Sequence, residues 1–299
     1  MRFFILCLLI GLYAEENLPQ IDRHRFDDVL LIVNYNHPHY ASIPFIRELY
    51  NPLFPHIVFY GEKPHPDIIQ ADIYFGVYCI RVITDALTRF PNYRGYIFMQ
   101  DDCMMNVWNY ADLDLNKLWL AISRYPYEGG SCGLVPESWE TDYDKGRGSE
   151  EFIHASLDGA YREHWGWWVP HVYGLQSVQK AMPYLDESSR GQLEKNVGKN
   201  VVIAQTCDLF YIPGKFRKKT VALSQIFRDV FYEISIPMIF SCLDSIENWE
   251  LLKMYWGFPQ EHFLDYGTQY HWIHPLKFSD RATREFVSGK LTNYYQTLK

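Results

Sequence analysis

The sequence is short of positive charge. Lys and Arg number 28 against 36 Asp and Glu, for a formal charge of −8. Duplex nucleic acid needs a basic face to neutralise its phosphates, so no nucleic-acid partner is expected. Long apolar runs are also lacking. After the first 14 residues, no stretch reaches the roughly 18–20 apolar residues of a membrane-spanning helix. There is no Asn-x-Ser/Thr acceptor, so N-glycosylation is not expected, and no Cys-x-x-Cys pair, which argues against a zinc ribbon or a thioredoxin-type site. Gly-x-Ser-x-Gly, Walker, His-Glu-x-x-His and Gly-x-Gly-x-x-Gly motifs are all missing, and with them the usual signatures of hydrolases, P-loop enzymes, zincins and dinucleotide-binding domains. Repeats and low-complexity stretches are absent too.

Aromatic residues are plentiful at 17%, with 23 Tyr, 19 Phe and 9 Trp among 299 residues. That supply suits stacking on sugars or bases as well as core packing. Residues 1–14 read as a secretory signal peptide. Arg2 gives the charge, Phe3 to Leu12 the apolar stretch, and Ala14 a small residue before Glu15 and Glu16. This implies the secretory pathway, with a Golgi-lumen or secreted protein and no transmembrane helix beyond the signal. Residues 15–299 show no convincing linker and read as a single domain. Outside the signal, which holds Cys7, five cysteines remain: Cys79, Cys103, Cys132, Cys207 and Cys242. An odd count leaves at least one free thiol, and one or two disulfides are compatible with the rest.

Short apolar runs alternate with helix-length segments. Val29–Val33, Ile57–Tyr60 and Tyr96–Met99 read as strands buried on both faces, with Val201–Ala204 a weaker one. Ile43–Tyr50 and Tyr78–Phe90 carry helical spacing, stopped by Pro52 and Pro91. The spacing predicts an α/β fold with a mostly parallel, Rossmann-like central sheet flanked by helices. The Gly-rich stretch from Tyr125 to Arg162 reads as loops, and Asp280–Lys299 as an amphipathic helix.

Open α/β sheets bind ligands beyond the carboxyl ends of their strands. That rule selects Asn34-Tyr35-Asn36, Gly61-Glu62-Lys63 and Asp101-Asp102, with Asn34 or Tyr35 expected to share a pocket with the acid pair. Adjacent acids repel, and a hard divalent cation such as Mn²⁺ or Mg²⁺ removes the cost by taking oxygen ligands. A solvated acidic turn is the plainer reading of the same two residues. Asp208 and Glu233 sit in apolar surroundings and are candidate general bases, or else a turn residue and a buried structural pair. Glu163, following Asp158, is a further base candidate. His164-Trp165-Gly166-Trp167-Trp168 offers aromatic faces to a sugar, or simply core. Arg81 could bind a diphosphate bidentately. The run Lys215, Arg217, Lys218 and Lys219 could do so as well, or form a solvated face. His271 and His274 stand three apart.

An apolar strand ending in a short acidic motif resembles the nucleotide-sugar glycosyltransferases of the GT-A fold. Their motif is Asp-x-Asp or Glu-Asp-Asp, and Gln100-Asp101-Asp102 departs from both at its first position. The resemblance implies that Asp102, with Asp101, touches the metal, that a late histidine such as His274 can be a third ligand, and that the nucleoside lies at Asn34, Tyr35 and Asn36. More of the chain is similar to the STELLO family of glycosyltransferase-like proteins: Asn34 to Tyr40, Phe54 to Gly61, Gly95 to Asp102, Cys207 to Pro213 and Glu233 to Pro237. The similarity spans roughly residues 28–240. It implies a metal-dependent glycosyltransferase that moves a sugar from a nucleotide-sugar donor to a glycan or glycoprotein acceptor. The alternative is a non-catalytic glycan-binding or assembly protein that keeps the fold.

Overall fold

The computed structural model describes residues 18–121, 152–160, 166–170, 172–256 and 270–298. The signal reading for residues 1–14, Cys132 and the Glu163-His164-Trp165 part of the aromatic motif lie outside the described residues.

In chain order the strands are β1 (Val29–Tyr35), β2 (Ile57–Gly61), β3 (Ile68–Gln70), β4 (Gly95–Gln100), β5 (Met104–Met105), β6 (Trp119–Ala121), β7 (Ile153–Ser156), β8 (Val201–Ala204), β9 (Leu209–Pro213), β10 (Glu250–Leu252), β11 (Met254–Trp256) and β12 (Trp272–His274). The helices are α1 (Ile43–Tyr50), α2 (Cys79–Arg89), α3 (Leu175–Ala181), α4 (Glu187–Val197), α5 (Arg217–Ile226), α6 (Tyr232–Leu243) and α7 (Arg281–Thr297).

Seven strands form the central sheet in the order β10-β6-β9-β4-β1-β2-β3. The β1–β2, β2–β3, β1–β4 and β6–β10 pairs are parallel, and β9 alone runs against its neighbours β4 and β6. The expected α/β class and mostly parallel central sheet flanked by helices are therefore present. Every residue of β1 and β4 is buried, as continuous apolar runs require when helices cover both faces.

Alternation along these strands divides the core. Leu30, Ile32, Tyr96 and Phe98 face α2, α5 and α6, whereas Leu31, Val33, Ile97 and Met99 face α1 and α7. Gly95 opens β4 because Tyr211 of β9 crosses it: a Cβ there would lie 1.9 Å from the Tyr211 hydroxyl.

Four expectations are modified, the first being that Ile153–Ser156, inside the stretch read as loops, forms strand β7. β1 continues two residues past its apolar run, because Asn34 and Tyr35 are buried and still pair with Tyr60 and Gly61. Val201–Ala204 is a strand but not part of the central sheet; it pairs antiparallel with β7 and is covered by α4 and α6. Cys79, Cys103, Cys207 and Cys242 are buried free thiols, so no disulfide forms among the described residues. The tail is helical as expected, with Asp280 capping α7 through the Thr283 amide. Among the described residues, no helix is long and apolar enough to cross a membrane.

Candidate functional site

At its carboxyl end, β4 is tied to both neighbours. The Gln100 amide donates to the Asp208 carbonyl and the Asp101 amide to the Asn34 carbonyl, each at 2.9 Å. These bonds end the strand in a fixed turn, so Asp101 and Asp102 stand at the sheet edge. They line a cleft of about 200 Å³ that also includes Asn36, His37, Phe75 and Lys277.

The next residues bring in a distant segment. After Asp102 and Cys103 comes β5, which pairs antiparallel with β12 through Met104–Ile273 and Met105–Trp272. That register delivers His274 to the acid pair. Its Nε2 lies 3.2 Å from Asp102 Oδ1, and its Nδ1 lies 3.4 Å from Asp208 Oδ2. Lys277 Nζ reaches Asp102 Oδ2 at 2.9 Å, and the Leu276 amide donates to the Asp102 carbonyl at 2.6 Å. Asp208 is further held by Tyr232, whose hydroxyl donates to Oδ1 at 2.8 Å.

Burial and the neighbouring charges set the protonation of these groups. Asp101 is pushed well above the usual carboxylate range, by burial first and by Asp102 second. Burial pushes Asp102 the same way, but His274 and Lys277 together outweigh it and hold its carboxyl well below that range. Burial lowers His274, yet Asp208 and Asp102 prevail and raise it. Asp208 is raised by burial, against the opposing pull of His274 and Tyr232.

Asp102, Cys103 and His274 bring one donor atom each within 4.8 Å of one another. The Cys103 thiol fits an ion poorly. A thiol is a soft donor, poorly matched to a hard divalent cation, and this one donates to the Asp208 carbonyl at 3.7 Å. A carboxylate and an imidazole remain, with the second imidazole nitrogen against a second carboxylate. The 3.4 Å contact is an ion-pair distance with no hydrogen bond to Nδ1; an acid at that nitrogen is what fixes tautomer and ring angle in metal-bound histidines. The mixed oxygen and nitrogen pair suits a transition ion such as Mn²⁺ better than Mg²⁺, which prefers oxygen alone.

The other candidates fall in several places. Asn36 lines the cleft, while Asn34 and Tyr35 lie beneath it. The Asn34 amide nitrogen donates to Asn36 and to Gln100, and the Tyr35 hydroxyl meets Ser42 on the opposite face of the sheet. The guanidinium of Arg81 is taken by Asp72 at 2.5 Å and Asp229 at 2.8 Å, and it stacks on Tyr78. Glu233, in the first turn of α6, is raised well above the usual range by burial and by Asp208. The basic run from Lys215 starts beyond β9, whose last residue pairs with Gly95, so it lies at the sheet edge opposite the acid pair. Trp168 is buried in the core, whereas Trp167 is partly exposed and stacks on Phe231 at 4.5 Å. His271 accepts the Lys253 amide at 2.9 Å, and Asp158 sits in an exposed turn.

Sequence reasoning missed Lys277, Tyr232 and Phe75. Nothing local marks Lys277 or Tyr232. Lys277 reaches Asp102 from the segment that follows β12. Phe75 had a signal: it precedes Gly76 in an aromatic Tyr74-Phe75-Gly76 turn, where all three residues have positive φ.

No protein-family model matches the chain. Two curated proteins of Arabidopsis thaliana do, named probable glycosyltransferase STELLO2 and probable glycosyltransferase STELLO1. They are 22% and 20% identical over 230 residues, which is 76% of this chain and 26% of each relative. The chain thus spans about a quarter of the length of these relatives. Among solved structures, a glycosyltransferase involved in glycosylation of the major capsid of PBCV-1 aligns with a TM-score of 0.38 and 7% identity, covering 87% of this chain and 98% of that one. The WbbM bifunctional glycosyltransferase aligns at 0.42 and 10%, covering 95% and 54%. At these TM-scores the two likenesses carry no weight for the fold, which rests on the strand order itself.

Proposed function

We propose that the chain is a metal-dependent glycosyltransferase that moves a sugar from a nucleotide-sugar donor to a glycan or glycoprotein acceptor. The observation that carries the reading is His274, set between Asp102 at the sheet edge and Asp208 behind it. The sequence similarity to the STELLO proteins supports it.

Asp102 and His274 Nε2 would hold Mn²⁺, which when bound supplies positive charge to the departing diphosphate. Asp208 would keep the Nδ1 proton of His274 on its own side, leaving Nε2 with a lone pair for the ion. That makes Asp208 a positioning residue rather than the base. Glu233 is then the better candidate to take the acceptor proton. Its carboxyl meets the Cys207 backbone amide, and burial together with Asp208 raises its affinity for protons, the direction a general base needs. Arg81 is spent on two aspartates, so Lys277 is the basic residue at hand for the diphosphate. Residues 15–299 would form one catalytic domain in the secretory pathway, in the Golgi lumen or outside the cell.

The test is donor turnover. The purified chain is incubated with a panel of nucleotide sugars, with and without Mn²⁺, and free nucleotide is followed. Metal-dependent release from at least one donor is expected, and it should be lost in Asp102→Asn. No release from any donor, with Mn²⁺ bound or not, would leave a glycan-binding protein as the better reading.

A further inference from the structure

Phe75 lines the cleft beside Asp101 and Asp102, yet its side chain is 64% exposed. Away from the acids it meets Tyr74, with 5.7 Å between ring centroids. Tyr74 lies 6.5 Å from Tyr173, and Tyr173 lies 6.1 Å from Trp167. Trp167 stacks on Phe231 at 4.5 Å, and Phe231 is two residues before Glu233. Tyr74 is 51% exposed and Trp167 40%. A continuous band of rings therefore leaves the cleft over the surface and ends at the segment that carries the candidate base.

Folding alone does not account for this band. Tyr74 and Phe75 have φ of 45° and 53°, a left-handed conformation that strains a bulky residue and that glycine adopts freely. The strain holds two large rings in water, so neither backbone comfort nor burial explains an aromatic residue at either position. The turn is nevertheless fixed. The Val77 and Tyr78 amides donate to the Tyr74 and Ile73 carbonyls at 3.1 and 2.9 Å, and the Phe75 amide donates to Glu62 Oε1 at 3.2 Å. Arg81, which the proposed chemistry leaves unused, braces it. Its guanidinium lies 4.1 Å from the centre of the Tyr78 ring, which is 6.0 Å from that of Tyr74, and it ties Asp72 to Asp229. The Tyr173 and Val77 carbonyls accept the Phe231 and Tyr232 amides at 2.8 and 3.1 Å. The rings are thus set in place before any ligand arrives, which lowers the ordering cost of binding.

The chemistry of the band selects what lies on it. Tyr and Trp rings are apolar on their faces and polar at one edge. A sugar unit has the matching character, with an apolar C–H face and a rim of hydroxyls. Arg81 and Arg228, the cations beside the rings, are paired with Asp72 and Asp229, so neither is free for a uronate or a phosphate. Continuity with the cleft through Phe75 places the occupant where the acceptor must enter.

Resting on the transferase reading above, we propose that the band Phe75, Tyr74, Tyr173 and Trp167 binds the acceptor as an uncharged oligosaccharide. Successive sugar units stack on the rings, and the end of the glycan lies at Phe75, beside the acid pair. The acceptor is then recognised through its glycan, by several units at once, and not through a peptide. The strained Tyr74-Phe75 turn is the device that carries the band into the cleft.

Calorimetric titration of the full chain tests it. The probes are uncharged hexasaccharides of glucose, mannose and N-acetylglucosamine, each linked as a flat ribbon, and an oligogalacturonate of equal length. At least one uncharged probe should bind, and more tightly than the oligogalacturonate. Tyr74→Gly and Trp167→Ala should each weaken that binding about fivefold or more, the loss of one stacked ring, with Mn²⁺ affinity as in wild type. The exposed control Tyr184→Ala should bind as wild type does. Tyr74→Gly relieves a positive φ, so its melting temperature should not fall. A merely structural Tyr74 would give a lower melt and unchanged glycan affinity. No binding of any uncharged probe, binding unchanged in both variants, or a preference for the oligogalacturonate overturns the inference; Mn²⁺-dependent donor turnover then leaves the transferase reading standing. Self-association of the wild type that Trp167→Ala abolishes in sedimentation assigns the band to a second copy and overturns it as well. Glycan binding without turnover of any donor removes the acceptor role together with the transferase reading. Should one variant fail to fold, the other decides.

Discussion

Asp101 and Asp102 are neighbours in sequence and opposites in energy. Asp101 is raised, so its charged form is disfavoured in the fold; the stability it adds is present below its unfolded value and is lost as pH rises through the folded one. At neutral pH the charged form is disfavoured, and Asp101→Asn should melt higher than wild type. Asp102 is depressed, so its contribution is present above the unfolded value and vanishes in acid. Asp102→Asn should melt lower at pH 7, with the difference from wild type shrinking as pH falls below about 4. Thermal melts of both variants across pH check the pair, and a common sign at pH 7 would contradict it. The acid pair itself was legible, because two carboxylates after a buried run are conspicuous. Their division of roles was not, since it depends on His274 and Lys277 arriving from far along the chain.

The elements show the same boundary between what is legible and what is not. Val29–Val33, Ile57–Tyr60 and Tyr96–Met99 announce themselves because strands buried on both faces need unbroken apolar runs. β6 and β10 are only three residues long, too short to show a period, and although β9 is a buried apolar run nothing local encodes its antiparallel pairing with β4 and β6. Gly95 is a case where the reason for a residue lies on another strand. Gly95→Ala would drive a methyl into the Tyr211 ring, whose hydroxyl is fixed to the Leu115 carbonyl at 2.9 Å, and should cost about 1–3 kcal/mol by denaturant unfolding. β12 supplies a pH-dependent term. His271 is lowered to about 4, mainly by burial and then by Lys253, and it accepts a backbone amide as a neutral ring. Its contribution is present above pH 6.5 and is lost as pH falls toward 4. Melting temperature should decline over that interval, and less steeply in His271→Asn, where an amide oxygen can replace Nδ1 as acceptor.

Across the whole molecule, the site is an assembly from both halves of the chain. β1 and β4 form its floor, β5 draws β12 and His274 to the acid pair, and the segment before β9 sets Asp208 behind the imidazole. The strand-end rule for α/β sheets was enough to find the floor from sequence. The wall required a pairing between two- and three-residue strands that no local pattern encodes. The central claim is that this assembly holds a divalent cation through Asp102 and His274. Its most direct test is a Mn²⁺ titration followed by electron paramagnetic resonance, on wild type, Asp102→Asn, His274→Gln and the exposed-site control Asp158→Asn, each shown by thermal melt to be folded. Wild type and the control should bind one ion with the same affinity, and each site variant should bind at least about tenfold more weakly, no less than the loss typical of removing an outer-shell partner. Equal Mn²⁺ affinity in all four proteins would contradict the assignment of the metal to this site.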